Sequence, residues 1–215
     1  MDFLESLNNI FDRQVYAKPP ILIAGLGRCG TTLVRDTIIN SSSYVRSKKF
    51  VRKIEDASFS KNTVYKTHCY PPISLPKNLK VIFLFGNPVD IVISTYYKIN
   101  EWGRLHHQHL QSDDFIPNDS ILTNDTLNLY HQFNQWYKYQ SFTFISVKYE
   151  YLYDKETIKF IADYLEIPFK LPKFKKRQSQ LKNKFLRDDI LNCYGKLSGE
   201  IENNSVPFKK WESYL

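Results

Sequence analysis

Short apolar runs alternate along this chain with segments in which apolar residues recur every three to four positions. The apolar runs predict four strands, at residues 20–25, 63–68, 79–85 and 142–149. The helical spacing predicts five helices, at 2–15, 30–40, from Asn87 onward, at 125–139 and after a cap at Asp154. Because strands and helices alternate, the pattern predicts an α/β fold, with a mainly parallel central sheet flanked by helices.

The remaining segments are more polar. Residues 79–85 are almost all apolar, which is typical of a central parallel strand buried on both faces. Residues 44–62 are mixed, and we expect a short strand and a loop there. Residues 99–123 form a long polar excursion of the kind that often serves as a lid or binding loop. Lys170 to Arg187 is a basic run, and a polar, Asn-rich tail that carries Trp211 follows it. No linker divides the chain, so we expect one domain over 1–215.

Composition and charge narrow the classes of partner. The 215 residues have a formal net charge of +8, which favours an anionic ligand, a nucleic acid or an acidic surface. Cys29, Cys69 and Cys193 are widely spaced, which argues against a disulfide framework and favours a reducing, cytoplasmic location. No apolar run has the length of a signal peptide or membrane span, so we expect no transmembrane segment.

A metal site is not expected from the sequence. The three histidines at 106, 107 and 109 are the only dense group of metal-ligand types, and they lack flanking cysteines or a helical i, i+4 pair.

The most informative stretch is the glycine-rich loop at residues 25–32, Gly-Leu-Gly-Arg-Cys-Gly-Thr-Thr. It follows a predicted strand and precedes a predicted helix. Such a loop directs backbone N–H groups and the positive end of the helix dipole at one point, which favours a phosphate or sulfate group.

Two familiar nucleotide loops fit this stretch incompletely. The nucleotide-triphosphatase loop needs a lysine where Thr31 stands, which argues against ATP hydrolysis. The dinucleotide fingerprint matches Gly25, Gly27 and Gly30, but its acidic residue about 20 positions later is missing. Arg46 and Lys48 would suit a 2′-phosphate instead, so an NADP-dependent oxidoreductase stays open as an alternative.

A third pattern extends over the rest of the chain. It consists of five segments that follow one another along the chain: the loop at 27–32, Lys66-Thr67-His68, the segment 87–94, the segment 149–152 and the Trp-containing segment 208–215. Their order is that of a known family. Together they resemble the sulfotransferase family, in which a basic-x-Gly-Thr-Thr loop holds a 5′-phosphosulfate. The resemblance covers roughly residues 20–215.

The resemblance implies a P-loop NTPase-like sulfotransferase fold and 3′-phosphoadenosine 5′-phosphosulfate as the co-substrate, with no metal. His68 would be the general base, while Lys66 and Arg28 would stabilise charge on the reacting oxygens. The co-substrate would be bound by residues of the loop and of two later segments: Gly27, Arg28, Cys29, Gly30, Thr31, Thr32, Ser94 and Tyr149. The acceptor hydroxyl or amine would belong to a small molecule, carbohydrate, lipid or peptide, and no nucleic-acid partner is expected.

The chain also departs from the family pattern. The family's 3′-phosphate motif begins with an arginine, and Gly86 stands at that position. A tryptophan often follows the two threonines, and Leu33 stands there instead. An inactive sulfotransferase-like protein and a basic nucleic-acid-binding module therefore stay open beside the oxidoreductase.

Overall fold

A six-stranded sheet organises the molecule, in the order β2-β3-β1-β4-β5-β6. The computed structural model describes residues 17–47, 51–98, 119–138, 141–174, 184–204 and 206–212. The strands are β1 (Ile21–Gly25), β2 (Val45–Arg46), β3 (Thr63–Thr67), β4 (Lys80–Phe85), β5 (Phe144–Lys148) and β6 (Phe208–Trp211). The first five run parallel and β6 pairs antiparallel with β5. The predicted α/β fold with a mainly parallel sheet is confirmed.

Within the described residues, five α-helices flank the sheet. They are α1 (Thr31–Ser41), α2 (Pro88–Tyr96), α3 (Leu129–Lys138), α4 (Lys155–Leu165) and α5 (Lys184–Asn204). Short 3-10 turns cover Asp119–Leu122 and Tyr149–Tyr151. The predicted helix at 2–15, most of the polar excursion (99–118), its three histidines and residues 175–183 of the basic run lie outside the described residues.

The central strands are buried as their sequences predict. Every residue of β1 and β5 is buried, and β4 is buried from Val81 to Phe85. Helix α3 adds an aromatic layer against β4, in which Phe83 stacks on Trp136 with ring centroids 5.2 Å apart. Trp136 is fully buried in this layer and belongs to the core.

Capping residues determine where the helices begin. Asn87 caps α2, because its side chain accepts a hydrogen bond from the Val89 N–H at 2.9 Å. Helix α3 begins four residues later than predicted, because the Asp125 carboxylate accepts hydrogen bonds from the N–H groups of the first two helical residues. Asp154 is the N-cap residue of α4, as predicted, but its side chain makes no capping hydrogen bond.

Helix α5 and strand β6 were not predicted from the sequence, which suggested a polar tail in their place. Helix α5 buries four apolar residues at helical spacing, Ile190, Tyr194, Leu197 and Ile201. The Tyr194 hydroxyl lies 3.0 Å from the carbonyl oxygens of Ile121 and Asn124. The apolar spacing was present in the sequence, but polar residues and two glycines between these positions concealed it.

A cavity of about 1010 Å³ lies at the amino edge of the sheet, where β4 and β5 begin. Its lining includes Pro19, Leu79, Phe142, Phe160 and Tyr164. None of the residues that the sequence predicted for the functional site lines this cavity.

We predict that Gly25→Ala lowers the free energy of unfolding by about 1–3 kcal/mol, because a new methyl group overpacks this position. A Cβ at Gly25 would lie 2.5 Å from the Leu84 carbonyl oxygen and 2.8 Å from the Thr31 methyl carbon. Urea unfolding measures the change.

The matched control is Gly195→Ala on α5, where a Cβ meets no atom within 4 Å. Alanine is favoured over glycine inside a helix by roughly 0.5–1 kcal/mol, so this variant should be more stable than the wild type. A Gly25→Ala protein as stable as the wild type would contradict the packing described for β1.

Candidate active site

The predicted site segments meet at the carboxyl edge of the sheet. The glycine-rich loop follows β1, Lys66 and His68 lie at the end of β3, Ser94 lies on the helix that follows β4, and Tyr149 directly follows β5. Ligands of open α/β sheets bind at this edge. Segments that are far apart in the sequence therefore face one region.

The glycine-rich loop turns sharply from β1 into α1. The Leu26 N–H donates to the Leu84 carbonyl at 3.0 Å, which holds the start of the loop against β4. Gly30 caps α1 with a φ of 78°, a left-handed conformation that favours glycine. A Cβ on Gly30 would lie 2.7 Å from the Tyr149 ring, so that ring packs directly over the loop. The start of α1 thus supplies N–H groups and a positive dipole end.

The loop residues divide into packed and accessible ones. Cys29 and Thr31 are buried, and Gly27 is half-buried. Thr32 is exposed, and its hydroxyl is the group that meets Lys66. The buried pair shapes the loop, whereas Thr32 presents its hydroxyl at the surface of the site.

Arg28 links the loop to the helix after β4. Its Nε donates a hydrogen bond to the Ser94 hydroxyl at 2.9 Å. Arg28 has a φ of 67°, which is uncommon for a residue with a side chain and often accompanies functional sites. The family resemblance separates these two residues, with Arg28 at the 5′-phosphosulfate and Ser94 at the 3′-phosphate, and the structure brings them together.

Lys66 reaches the loop from β3. Its Nζ donates a hydrogen bond to the Thr32 hydroxyl at 2.9 Å. Burial, with smaller contributions from the charges of Arg35 and Arg28, lowers the pKa of Lys66 to about 8, while Asp36 acts in the opposite direction. The positive charges of Arg35 and Arg28 thus disfavour the protonated form of Lys66.

His68 is buried at the end of β3, with 8% of its surface exposed. Its Nδ1 lies 2.7 Å from the Gly25 carbonyl oxygen. A carbonyl only accepts hydrogen bonds, so we assign the proton to Nδ1 and the lone pair to Nε2. This tautomer is the one that a general base needs at Nε2.

Helix α3 holds the backbone on which His68 is carried. The Gln132 side chain donates to the His68 carbonyl, and the Trp136 indole N–H donates to the Cys69 carbonyl at 2.9 Å. Sequence reasoning missed both contacts, since the partners are more than 60 residues apart. The available signal was that a buried tryptophan N–H usually finds an acceptor.

Gly86, which replaces the family's arginine, is closely surrounded. A Cβ at this position would lie 3.2 Å from a Glu150 carboxylate oxygen and 3.3 Å from Cβ of Tyr149. The same carboxylate oxygen accepts a hydrogen bond from the Asn87 N–H at 2.7 Å. A larger residue at 86 would therefore require Glu150 and Tyr149 to move.

The fold and the site define an α/β protein with a glycine-rich loop between β1 and α1, faced by a lysine and a histidine at the end of β3. The sulfotransferase domain family matches residues 18–215. The chain therefore belongs to the sulfotransferase family, and this membership supports sulfotransfer as its general activity. It also favours that activity over the oxidoreductase and the nucleic-acid-binding module.

Other comparisons add little. No curated protein sequence matches the chain. One similar solved structure is described as "Sulfotransferase Domain from the Curacin Biosynthetic Pathway". It is 13% identical, covers 88% of this chain and 92% of its own chain, and has a TM-score of 0.40.

The described residues contain neither a cluster of metal-ligand side chains nor a membrane-spanning helix. Within the described ranges, no three or more His, Cys, Asp or Glu side chains are grouped to hold a metal ion. No helix in the described part of the chain is long and apolar enough to cross a membrane.

We predict that Lys66 titrates near pH 8 and that its two charged neighbours shift its pKa in opposite directions. Arg35→Gln removes a positive charge and should raise this pKa, whereas Asp36→Asn removes a negative charge and should lower it. NMR titration of the Lys66 side chain measures all three proteins. An ordinary lysine pKa in the wild type, or no response to either substitution, would contradict the electrostatic description.

Proposed function

We propose that this protein transfers a sulfuryl group from 3′-phosphoadenosine 5′-phosphosulfate to an acceptor hydroxyl or amine, with His68 as the general base. One observation carries the proposal: Lys66 is hydrogen-bonded to the phosphate-loop residue Thr32, while His68, two residues along, is held in the base tautomer. A cationic group and a proton acceptor thus flank the anion-binding loop.

The donor set of the loop fits a phosphosulfate. The N-terminal N–H groups of α1, the Thr32 hydroxyl, the Lys66 ammonium and the Arg28 guanidinium are all donors, and donors of this kind suit an oxyanion. Gly30 leaves the loop without a side chain where Tyr149 covers it. When bound, the co-substrate would supply the sulfuryl group and a phosphate leaving group.

His68 would take the acceptor's proton on Nε2. The Gly25 carbonyl, which accepts the Nδ1–H, keeps the ring in position and favours the imidazolium that forms after proton uptake. Burial of the ring limits the ways in which it can turn. The Gln132 contact fixes the backbone of the same residue and so acts as a positioning contact.

Lys66 and Arg28 would stabilise negative charge on the transferred and leaving oxygens. Transfer of this kind depends mainly on positioning and on charge stabilisation, as phosphoryl transfer does. A Lys66 pKa of about 8 means that the ammonium form predominates at pH 7. No metal is needed in this scheme.

The nucleoside end would lie on the β4–β5 side of the loop. Ser94 and Tyr149 occupy that side, and Tyr149 already contacts the loop. Gly86 offers no charged donor, so we assign the 3′-phosphate to the Ser94 hydroxyl, which accepts a hydrogen bond from Arg28 Nε and can still donate its own proton.

We predict that the product nucleotide, 3′-phosphoadenosine 5′-phosphate, stabilises the protein. At about 100 times its dissociation constant, a ligand that binds only the native state raises the melting temperature of a protein of this size by about 5–10 °C. The affinity should fall as pH rises through about 8, because Lys66 then loses its charge. Thermal melts at pH 7 and pH 9 test both statements, and the absence of any shift at millimolar nucleotide would refute the nucleotide assignment.

His68→Asn separates the general base from the structural role of the ring. The asparagine amide still offers a donor to the Gly25 carbonyl but provides no base, so transfer should fall by roughly 10²–10⁴-fold while the thermal shift remains. A radiolabelled-sulfate assay measures transfer. A variant with wild-type turnover would remove His68 from the mechanism, and a wild type without turnover would leave the inactive sulfotransferase-like protein as the answer.

A further inference from the structure

We propose that the acceptor carries a negative charge beside its reacting group. The charge would be bound by four basic side chains at the β2–β3 edge, which we call the basic rim: Arg35, Arg46, Arg52 and Lys53. This inference rests on the proposed function, because it takes His68 as the point that the acceptor must reach.

The strand order separates a donor side from an acceptor side. The donor side is the part of the sheet from β1 to β6. It carries the loop after β1, Ser94 after β4 and Tyr149 after β5. His68 follows β3, on the other side of β1, and only the short strand β2 lies beyond it. An acceptor that approaches His68 while the donor side is occupied therefore meets the β2–β3 edge.

The first half of the basic rim is a pair of arginines that share one carboxylate. Arg46 Nη2 and Arg35 Nε each lie 2.9 Å from the same oxygen of Asp36. Arg46 lies in β2 opposite Val64, two residues before Lys66 in β3. One carboxylate neutralises one guanidinium, so the pair keeps a net positive charge next to the site.

The second half is attached to the end of β3. The Val51 N–H donates to the Lys66 carbonyl at 3.3 Å, and the Thr67 hydroxyl donates to the Val51 carbonyl at 2.9 Å. The Cys69 thiol donates to the Arg52 carbonyl at 2.7 Å. These contacts hold the backbone of residues 51–52 beside the residues that flank His68.

Arg52 and Lys53 are both exposed. Among the residues that the structure describes, no carboxylate forms an ion pair with either side chain. Within that part of the chain, neither charge is used in an ion pair, and the backbone of both residues follows the segment that is bonded to the end of β3.

The charges on this side of the sheet do not cancel. Among the described residues, five basic residues lie there, the basic rim with Lys66, against three acidic ones, Asp36, Glu55 and Asp56. An excess of one sign at a cleft raises the local concentration of ligands of the opposite sign. Guanidinium groups also bind carboxylates and sulfates through paired hydrogen bonds. An anionic acceptor would use both properties, and a neutral one would use neither.

The test compares two double variants with the same change in charge. Arg52→Gln/Lys53→Gln removes half of the basic rim. Lys61→Gln/Lys77→Gln removes two exposed lysines that precede β3 and β4, at the amino end of the sheet and away from the carboxyl ends of the strands. The probes are a heparin-derived octasaccharide, which has carboxylates, sulfates and free hydroxyls, and neutral maltooctaose, titrated calorimetrically into the full chain at low salt.

We expect the wild type to bind the anionic octasaccharide and not maltooctaose, and the rim variant to bind it roughly fivefold more weakly. The Lys61/Lys77 control should match the wild type. Equal losses in the two variants, no loss in either, no binding by the wild type, or equal binding of the neutral sugar would each overturn the proposal.

The same samples keep this proposal separate from the proposed function. The thermal shift with 3′-phosphoadenosine 5′-phosphate should persist in the wild type and in both double variants, which also shows that they are folded. Loss of that shift in the wild type refutes the proposed function, whereas an intact shift with unchanged octasaccharide binding refutes only the basic rim.

Discussion

The hydrogen bond between the His68 ring and the Gly25 carbonyl connects the two halves of the candidate site. Gly25 ends β1, where its α-carbon packs so closely against Leu84 and Thr31 that no side chain fits. Its carbonyl is then left at the sheet edge, where it accepts a hydrogen bond from the Nδ1–H of His68 at 2.7 Å. One backbone position therefore starts the glycine-rich loop and also orients the proposed base. The rest of the site is arranged around this junction, with α1 on one side and the end of β3 on the other.

The electrostatics of the site favour an occupied state. Lys66 and Arg28 lie with Arg35 around the start of a helix whose dipole is also positive. Burial is the largest cause of the lowered pKa of Lys66, and the positive charges of Arg35 and Arg28 lower this pKa further. An anion bound in the loop would offset the repulsion between these positive charges. The arrangement that disfavours the charged form of Lys66 without a ligand would therefore favour a bound phosphosulfate.

Local patterns in the sequence predicted the parts of this structure that depend on nearest neighbours. The apolar run of β4, the start of a helix at Asn87 and the glycine-rich turn between β1 and α1 are confirmed as elements. Contacts between distant segments could not be predicted in this way. The Gln132 contact to His68 spans 64 residues, and the Arg28 contact to Ser94 spans 66. Gly86 shows the same limit: the sequence reveals that an arginine is missing, whereas only the structure shows that a side chain at this position would press against Tyr149 and Glu150.

We propose that one anion-binding site at the carboxyl edge of the sheet holds the sulfuryl donor between the loop and β3. A crystal structure with 3′-phosphoadenosine 5′-phosphate would show whether this site is used. We expect the 5′-phosphate at the start of α1, within hydrogen-bond distance of Thr32 and Lys66, with His68 still hydrogen-bonded to the Gly25 carbonyl. A nucleotide bound elsewhere, such as in the cavity of about 1010 Å³ at the amino edge, would contradict it.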